Sequence, residues 1–546
     1  MLKQWLDAGA RNEPVWLSDV REGCAAMPGA AHTVIQLTTT PDGGQRDYPL
    51  SIPRWSSGEE RSFVLEYVCA CVFNLLSVPG GRRLTFWFDQ TDRALSALLR
   101  EIPGIFQLDA KKRDGLGKVV SIADRICRVF GAEPFRFVFS DAADYVPAPP
   151  AKPPAPALTG RLLRAATRCE TGLYCGVDIG GTDIKLVLAR DGQLIGIREY
   201  DWNPALSPTA EGVIGPIYNL IREAVHETAS GAPLDGLGIS FPDVVIRHRV
   251  VGGETPKTRG MRLHAPDYEA EFEKITALAD HLRPLCAPGA PIRITNDGHI
   301  AAFTAAMELA YCGRSVELEH GVIAHSLGTD LGTGWLNADG SIPEAPMELY
   351  DLLLDLGSRP GRALPADDLR SVRNENSGLP DMRRCLGQEA AYRLAWQADP
   401  ALLDGFAVRD AETLQIQSSP DLRKPCLAHL MEQARRGNPA AREIFRNIGE
   451  NLGQVCRELD WLLRPETDVR FLFGRFVKEP DCFSLLQKGC AAVSPGIRLE
   501  AMDETLACTP LMKALARHPN TSTAQFAQAV GSVYFSMMEE CSDETK

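Results

Sequence analysis

A proline-rich stretch interrupts regular secondary structure in this chain and separates the sequence into two parts. Residues 147–158 read PAPPAKPPAPAL, with six prolines in twelve residues. Proline fixes φ and removes a backbone donor, so the stretch favours extended polyproline II and is excluded from helices and sheet ladders. We therefore predict a semi-rigid linker over residues 147–160, preceded by a separate domain over residues 1–146.

The N-terminal part predicts an independent α/β domain of unknown role. Apolar runs bounded by turn residues indicate four strands, at 33–38, 46–52, 84–88 and 135–140. The intervening patterns indicate three helices, at 58–77, 91–101 and 117–131. Neither a phosphate loop nor metal-ligand spacing is visible in this sequence, and its strand content argues against a compact helix-turn-helix module.

Composition restricts the classes of partner. The chain has 546 residues, 45% of them hydrophobic and 24% charged, which is the balance of a globular protein. Its formal net charge of −13 repels phosphate backbones and anionic lipid, so we expect neither nucleic acid nor a membrane as partner. The N-terminus lacks the pattern of a signal peptide, and the fifteen cysteines include no CxxC pair. Both features predict a cytoplasmic protein with buried, reduced thiols.

The most informative segment after the linker joins two strands through a glycine turn. Residues 174–186 read YCGVDIGGTDIKL, an apolar strand that runs into an aspartate, two glycines and a threonine. Glycines let the N–H groups of a turn approach an anion closely. Thr182 adds a hydroxyl donor, and Asp178 is suited to hold a hydrated magnesium ion that balances phosphate charge. The alternative is an ordinary glycine hairpin beside a solvated aspartate.

Three segments in order resemble motifs of the ROK family, the sugar kinases and related repressors of the actin, hexokinase and Hsp70 superfamily. DIGGTDIK at 178–185 fits that family's first phosphate motif, DIGGTxxK. LDGLGISFPDVV at 234–245 is similar to GIGISxPGxV, and PIRITNDGHIAAFTAAMEL at 291–309 is similar to VxNDANAAALGE. The resemblance covers residues 172–541. It implies an α/β, two-lobed actin/hexokinase-like (ribonuclease H-like) ATPase fold.

The resemblance also implies roles for individual residues. SLGTDLGTG at 326–334 aligns with the family's second phosphate motif, GTGIGGG. Asp297 matches the catalytic aspartate, Asn296 and Glu348 match sugar ligands together with Asp297, and Asp178 would bind the metal. The implied nucleotide-binding residues are Asp178, Gly180, Gly181, Thr182, Lys185, Gly328, Thr329, Gly332, Gly334 and Gly474.

The chemistry of Asn296 and Asp297 agrees with these roles. A sugar hydroxyl is a poor nucleophile at neutral pH, and a carboxylate within hydrogen-bond reach orients it and accepts its proton during phosphoryl transfer. An amide both donates and accepts hydrogen bonds to neighbouring hydroxyls. The alternative is that the pair caps the helix that follows.

The chain departs from the family pattern at several positions. Asp330 brings negative charge into the second phosphate motif, where it either recruits magnesium or weakens nucleotide binding. Arg475 and Phe476 replace glycines of the adenosine motif and either stack on a base or fill its pocket. The family's cysteine run is absent and Asp351 stands at the histidine position, so we predict no structural zinc of that type.

Two further features are left without a catalytic role. Residues 252–262 carry Lys257, Arg259 and Arg262, which either contact an acidic or phosphorylated substrate or form a solvated charged loop. We favour the solvated loop. His299 lies beside the catalytic motif, and we expect a packing or capping residue there.

The sequence therefore predicts an ATP-dependent carbohydrate kinase that uses Mg²⁺, with Asp297 as general base. The alternative is a catalytically inactive ROK-like nucleotide- or sugar-binding sensor. A repressor ranks last, because it requires a DNA-binding helix module. The predicted units are a first lobe, 172–292, a second lobe with the adenosine motif, 293–520, and a helix at 521–541 that returns to the first lobe. The partner is a small-molecule sugar, and a homodimer is a further expectation.

Overall fold

The structure is a computed structural model. It describes residues 1–11, 13–39, 44–106, 135–149, 157–180, 183–252, 256–328, 331–349, 352–357, 385–406, 408–409, 416–417, 420–502, 506–519 and 521–539, and every structural statement below concerns these residues.

The N-terminal region is a four-stranded sheet with helices packed on it, in the order β2-β1-β3-β4. Its elements are α1 Leu2–Ala10, α2 Leu17–Ala26, β1 Ala31–Thr38, β2 Gln45–Ile52, α3 Gly58–Ser77, β3 Arg83–Phe88, α4 Arg93–Leu99, α5 Ile102–Phe106 and β4 Arg136–Asp141. The four predicted strands and the helix at 58–77 are confirmed. The helix predicted at 91–101 is confirmed as α4, which spans Arg93–Leu99, and α5 follows it with Pro103 in its first turn, where proline is tolerated. The helix predicted at 117–131 lies outside the described residues.

The expectation that the N-terminal region is independent is wrong. Its apolar residues, including those of α3, belong to one hydrophobic core with residues 345–356 and with the long helix at 439–463. The linker prediction also needs a correction, because residues 158–160 already form the first turn of a helix, Leu158–Arg168. Nothing after Pro156 prevents that helix, and its apolar face is buried.

The first lobe is built on a five-stranded sheet in the order β11-β8-β5-β6-β7. β5 pairs antiparallel with β6, and β6 with β7, whereas β5, β8 and β11 run parallel. This order and these directions are those of the ribonuclease H-like fold, so the predicted fold class is confirmed. The elements are α6 Leu158–Arg168, β5 Leu173–Ile179, β6 Asp183–Arg190, β7 Gln193–Asp201, α7 Glu211–Ala229, β8 Gly236–Phe241, β9 Val245–Ile246, β10 Arg249–Val250, α8 Arg259–His264, α9 Tyr268–Thr276, α10 Leu278–Leu282 and β11 Ile292–Asn296.

The second lobe carries a four-stranded sheet in the order β13-β12-β16-β17, with β12 parallel to β16 and antiparallel to β13. Its elements are α11 Asp297–Tyr311, β12 Val322–Leu327, β13 Leu331–Leu336, α12 Gly387–Ala398, β14 Val408–Arg409, β15 Ile416–Gln417, α13 Pro420–Arg435, α14 Pro439–Leu463, β16 Val469–Gly474, α15 Pro480–Val493, β17 Arg498–Ala501, α16 Pro510–Ala516 and α17 Thr523–Phe535.

The first sheet extends past the predicted lobe boundary, and the C-terminal helix lies between the two lobes. The first sheet continues through β11 to Asn296, beyond the predicted lobe boundary at residue 292. The C-terminal helix α17 packs on that sheet, because Gly176 and Gly238 lack a Cβ and so admit its backbone at Ala529 and Ser532. The helix at the end of the chain therefore lies on the first lobe, between its sheet and α11.

The cysteines depart in part from the expectation of reduced thiols. Cys312 and Cys508 form a disulfide with a Cα–Cα separation of 5.7 Å. The free cysteines among the described residues are buried, except for the half-buried Cys286. In the same part of the chain, no helix is long and apolar enough to cross a membrane.

Candidate active site

The candidate site lies at the carboxyl ends of three neighbouring parallel strands. Asp178 near the end of β5 pairs in register with Ser240 of β8, and Ser240 pairs with Thr295 of β11. Asp297 follows β11 directly and begins α11. Parallel strands present their carboxyl ends at one edge of a sheet, which is where open α/β sheets bind ligands. The structure therefore brings Asp178 and Asp297 together, as the sequence motifs imply.

Asp178 is a buried carboxylate with an altered acidity. Its side chain is 8% exposed, and the hydroxyl of Ser240 donates to its Oδ1 at 2.8 Å. Burial raises the pKa of Asp178 to about 6, against the opposing effects of Lys185 and of the Ser240 bond, and the charge of Asp297 adds to the rise. Each acid therefore makes ionisation of the other more costly.

Asp297 is half-buried at the N-terminus of α11. Its Oδ1 accepts from the Gly298 amide at 2.9 Å, and its backbone carbonyl accepts from Nε2 of Gln528, on α17, at 3.0 Å. Burial raises the pKa of the Asp297 carboxyl, and the ammonium group of Lys257 opposes that rise. Asp297 is thus held by a helix terminus and a neighbouring helix, and the charge of Lys257, just before α8, acts on its carboxyl group.

Asn296 caps α11, as the alternative interpretation predicts. Its Oδ1 accepts from the Gly298 amide at 2.8 Å, and its Nδ2 donates to the Asp243 carbonyl at 2.9 Å. These bonds fix the Asn296 side chain between β11 and the turn after β8. His299 is packed rather than exposed, since the Trp335 amide donates to its Nδ1 at 3.2 Å and burial lowers its pKa to about 4.

One backbone amide of the first glycine turn is already hydrogen-bonded within the turn. The Gly180 amide donates to the Asp183 carbonyl at 2.8 Å within the turn, and the Lys185 ammonium contacts the Asp183 carboxylate. Donors toward an anion would therefore come from Gly181 and Thr182, both of which lie outside the described residues. Lys185 is largely buried and committed to acidic neighbours.

The second glycine hairpin contacts the start of the Asp297 helix. A Cβ on Gly334 would lie 1.9 Å from the Gly298 carbonyl oxygen, so β13 and α11 approach each other backbone to backbone. Gly332 and Gly328 face no such restriction. The predicted phosphate residue Thr329 and the neighbouring Asp330 lie outside the described residues.

Gly474 is the glycine of the adenosine motif that this chain keeps, and the local backbone explains why a glycine is required there. Gly474 has a φ of 109° at the end of β16 and approaches the Leu327 carbonyl, where a Cβ would lie 2.2 Å away. Phe476 is fully buried against Phe445. Its ring is therefore part of the second-lobe core. A ring buried in this way does not stack on a base, which was one of the two alternatives for Phe476.

Glu348 lies in a buried turn rather than on the surface. Its side chain is 5% exposed, and its amide donates to the Ser77 carbonyl, at the end of α3, at 3.0 Å. Asp351, which stands at the family's histidine position, lies outside the described residues.

Sequence reasoning did not single out Ser240, Gln528 or a role for Lys257 beside Asp297. The register of parallel strands could have identified Ser240, because it occupies the strand-end position next to Asp178. Gln528 and Lys257 reach Asp297 from distant parts of the chain. A local sequence pattern does not predict such contacts.

The residues at this edge fit a hydrated magnesium ion. The charges of the buried Asp178 and the half-buried Asp297 repel each other, and a divalent cation would relieve that repulsion. Mg²⁺ commonly takes one or two carboxylates and completes its shell with water and substrate phosphate. Within the described ranges, no group of three or more His, Cys, Asp or Glu side chains is placed to hold a metal.

The strand order defines a two-lobed ribonuclease H-like protein. Solved structures similar to this chain include sugar kinases, some of which are named as ROK family members. A ROK family glucokinase from Streptomyces griseus, solved with glucose and AMPPNP, is 20% identical, with 67% of this chain and 100% of that chain covered and a TM-score of 0.42. A ROK hexokinase from Thermus thermophilus is 15% identical, with 66% and 97% covered and a TM-score of 0.40. A glucokinase from Balamuthia mandrillaris, solved with glucose, is 14% identical, with 65% and 97% covered and a TM-score of 0.43.

The strand order alone carries the fold assignment. No protein-family model matches the chain, and no curated protein matches it.

Proposed function

We propose that this protein is a kinase that transfers the γ-phosphoryl group of ATP to a hydroxyl of a sugar or sugar derivative. The observation that carries the proposal is the pair of neighbouring carboxylates, Asp178 and Asp297, at the carboxyl edge of one parallel strand group. One is buried with a raised pKa, and the other begins a helix beside a lysine. A binding module that performs no chemistry has no need of two such acids.

The two acids have different roles in the proposal. Asp297 orients the sugar hydroxyl and accepts its proton, which a base with a raised pKa does efficiently near neutral pH. Asp178, fixed by Ser240, holds the magnesium ion through its carboxylate. When bound, Mg·ATP supplies the phosphoryl group and neutralises its charge. Asn296 and Glu348 bind sugar hydroxyls, and the glycine turns at Gly181 and Thr329 contact the phosphates.

The alternative is a sensor that binds nucleotide or sugar without transfer. Arg475 and Phe476 in place of glycines favour it, and so does Asp330 if that residue weakens nucleotide binding instead of recruiting magnesium. Retention of both acids argues against it. A cytoplasmic location and a homodimer stay predictions of the sequence.

Nucleotide turnover with a panel of sugars tests the proposal on wild type, Asp297→Ala and Asp235→Asn. Asp297→Ala should lower kcat by at least about two orders of magnitude, the effect of losing a positioned base, with Mg·ATP binding nearly intact. Asp235 lies at the opposite end of the same sheet, where it accepts from the Leu173 amide at 2.8 Å, so Asp235→Asn should keep wild-type kcat. Wild type that binds no Mg·ATP, or that binds it and phosphorylates no sugar, contradicts the kinase and favours the sensor.

A further inference from the structure

The N-terminal region contacts the turn that carries Glu348. We name residues 345–349 and 352–357 the Glu348 segment. The Met347 amide donates to the Val78 carbonyl at 3.1 Å, and the Glu348 amide donates to the Ser77 carbonyl at 3.0 Å. Ser77 and Val78 end α3, where the last helical carbonyls have no partner within the helix. The Glu348 segment therefore completes the C-terminus of α3.

These bonds hold a strained backbone. Met347 has a φ of 53°, in the left-handed region that non-glycine residues rarely adopt. Such a conformation persists only where the surroundings impose it. The two bonds from α3 lie at this residue and the next, so they fix the direction in which the chain enters Glu348.

Asn74 makes the second attachment, one helical turn before the end of α3. Its Nδ2 donates to the Leu353 carbonyl at 2.9 Å, and its Oδ1 accepts from the Leu353 amide at 2.8 Å. The same Nδ2 also donates to Oε1 of Glu458 on α14 at 3.0 Å, and Arg21 pairs with Glu458 at 2.8 Å. Asn74 is fully buried and Glu458 nearly so. One amide thus joins the N-terminal region, the Glu348 segment and the long helix of the second lobe.

A third attachment lies at the far end of the Glu348 segment. The Leu17 amide donates to the Leu354 carbonyl at 2.7 Å, and the Leu356 amide donates to the Val15 carbonyl at 2.8 Å. The Val15 amide in turn donates to the Asp355 carboxylate at 2.8 Å. The segment is therefore bound on both sides of Glu348 by the N-terminal region.

We infer that the N-terminal region is a brace that positions Glu348 for the sugar, with Asn74 as its central positioning residue. The inference rests on the proposed function, because it takes Glu348 as a sugar ligand. It assigns to the N-terminal region a role in substrate affinity that is separate from phosphoryl transfer at Asp297. Loss of Asn74 should release the Glu348 segment without moving the carboxylate pair.

The test compares full-length wild type, Asn74→Ala and Tyr48→Phe by amide hydrogen exchange and by kinetics. Tyr48 is a matched control, because its hydroxyl donates to the Leu462 carbonyl of α14 at 2.8 Å and so joins the same two regions without involving the Glu348 segment. In Asn74→Ala, peptides containing Met347, Glu348 and Leu353 should exchange about tenfold faster or more, the effect of losing a buried bond network. The sugar KM should rise about tenfold, while kcat and the KM for ATP change less than about twofold.

Unchanged exchange in a folded Asn74→Ala protein overturns the brace, and so does equal loss of protection in Tyr48→Phe. Wild type that phosphorylates no sugar overturns the proposed function instead, and the exchange result then decides the brace alone. If Asn74→Ala does not fold, exchange of wild type in low denaturant replaces it. The amides of Met347 and Glu348 should open together with the last turn of α3, and their opening while that turn stays closed overturns the inference.

Discussion

The two glycine hairpins of this protein are alike in sequence, yet their glycines are required for different reasons. In the first lobe, Gly180 closes a turn with Asp183 beside the buried Asp178. In the second lobe, Gly334 lets β13 touch the backbone of Gly298, next to Asp297. The first hairpin therefore borders the acids, whereas the second is a packing surface that positions the helix of one acid. A glycine motif alone does not distinguish phosphate contact from close backbone packing.

The largest expected loss of stability comes from replacing Gly334, the glycine at which β13 packs against α11. In Gly334→Ala the new methyl group would overlap the Gly298 carbonyl, and overpacking of backbone against backbone should cost about 3 kcal/mol of the free energy of unfolding. Gly332→Ala, on the same strand, is the matched control, because its Cβ would meet Ser326 at 3.6 Å, an ordinary contact. Urea unfolding of both variants measures the difference.

Equal stability of the two variants would show that β13 and α11 do not touch in solution. Gly334 would then have no packing reason, and the phosphate contact already proposed for this hairpin would be the better explanation of that glycine.

A second prediction concerns the acid of the first hairpin and its pH dependence. The pKa of Asp178 rises from about 3.8 unfolded to about 6 folded, so its contribution to stability is present below the unfolded pKa and is lost as pH rises through about 6. Relative to Asp178→Asn, wild type should lose about 2 kcal/mol of unfolding free energy between about pH 4 and pH 7.

Urea titrations at several pH values measure this difference without Mg²⁺ present. Parallel pH profiles for wild type and Asp178→Asn would contradict the burial of an ionisable group at this position. Added Mg²⁺ should reduce the wild-type loss at pH 7, because a bound cation favours the ionised carboxylate.

The sequence predicts those features whose cause is local. Apolar runs and the Asp191–Gly192 turn define the strands around Asp178, and a polar pair between a strand and an alanine-rich helix marks Asp297. The contacts of Glu348 with Ser77 and of Gln528 with Asp297 join residues more than two hundred positions apart. Such contacts depend on how finished elements pack, so no local spacing encodes them.

The same reason explains why the N-terminal region was expected to be independent. A proline stretch reveals a break in the backbone ladder, but it does not reveal that α3 and α14 share one apolar core. The Cys312–Cys508 pair is likewise invisible in spacing, because its partners meet only when α11 and the loop before α16 are in place.

The smallest expected effect comes from replacing Ser240, whose hydroxyl donates to Asp178 beside the first hairpin. Ser240 is fully buried and donates to Asp178, which favours the charged carboxylate, so Ser240→Ala should raise the pKa of Asp178 further. The loss should be about 1 kcal/mol of unfolding free energy at pH 7 and less at pH 4. Ser532→Ala is the control, because Ser532 is equally buried under the same sheet and its hydroxyl has no hydrogen-bond partner in the described part of the chain. Ser532→Ala should be neutral or slightly stabilising, because it removes a buried hydroxyl that has no partner among the described residues. Equal losses from the two serines would mean that the Ser240 bond does not tune the acid, and that burial and the neighbouring charges of Lys185 and Asp297 set the pKa of Asp178.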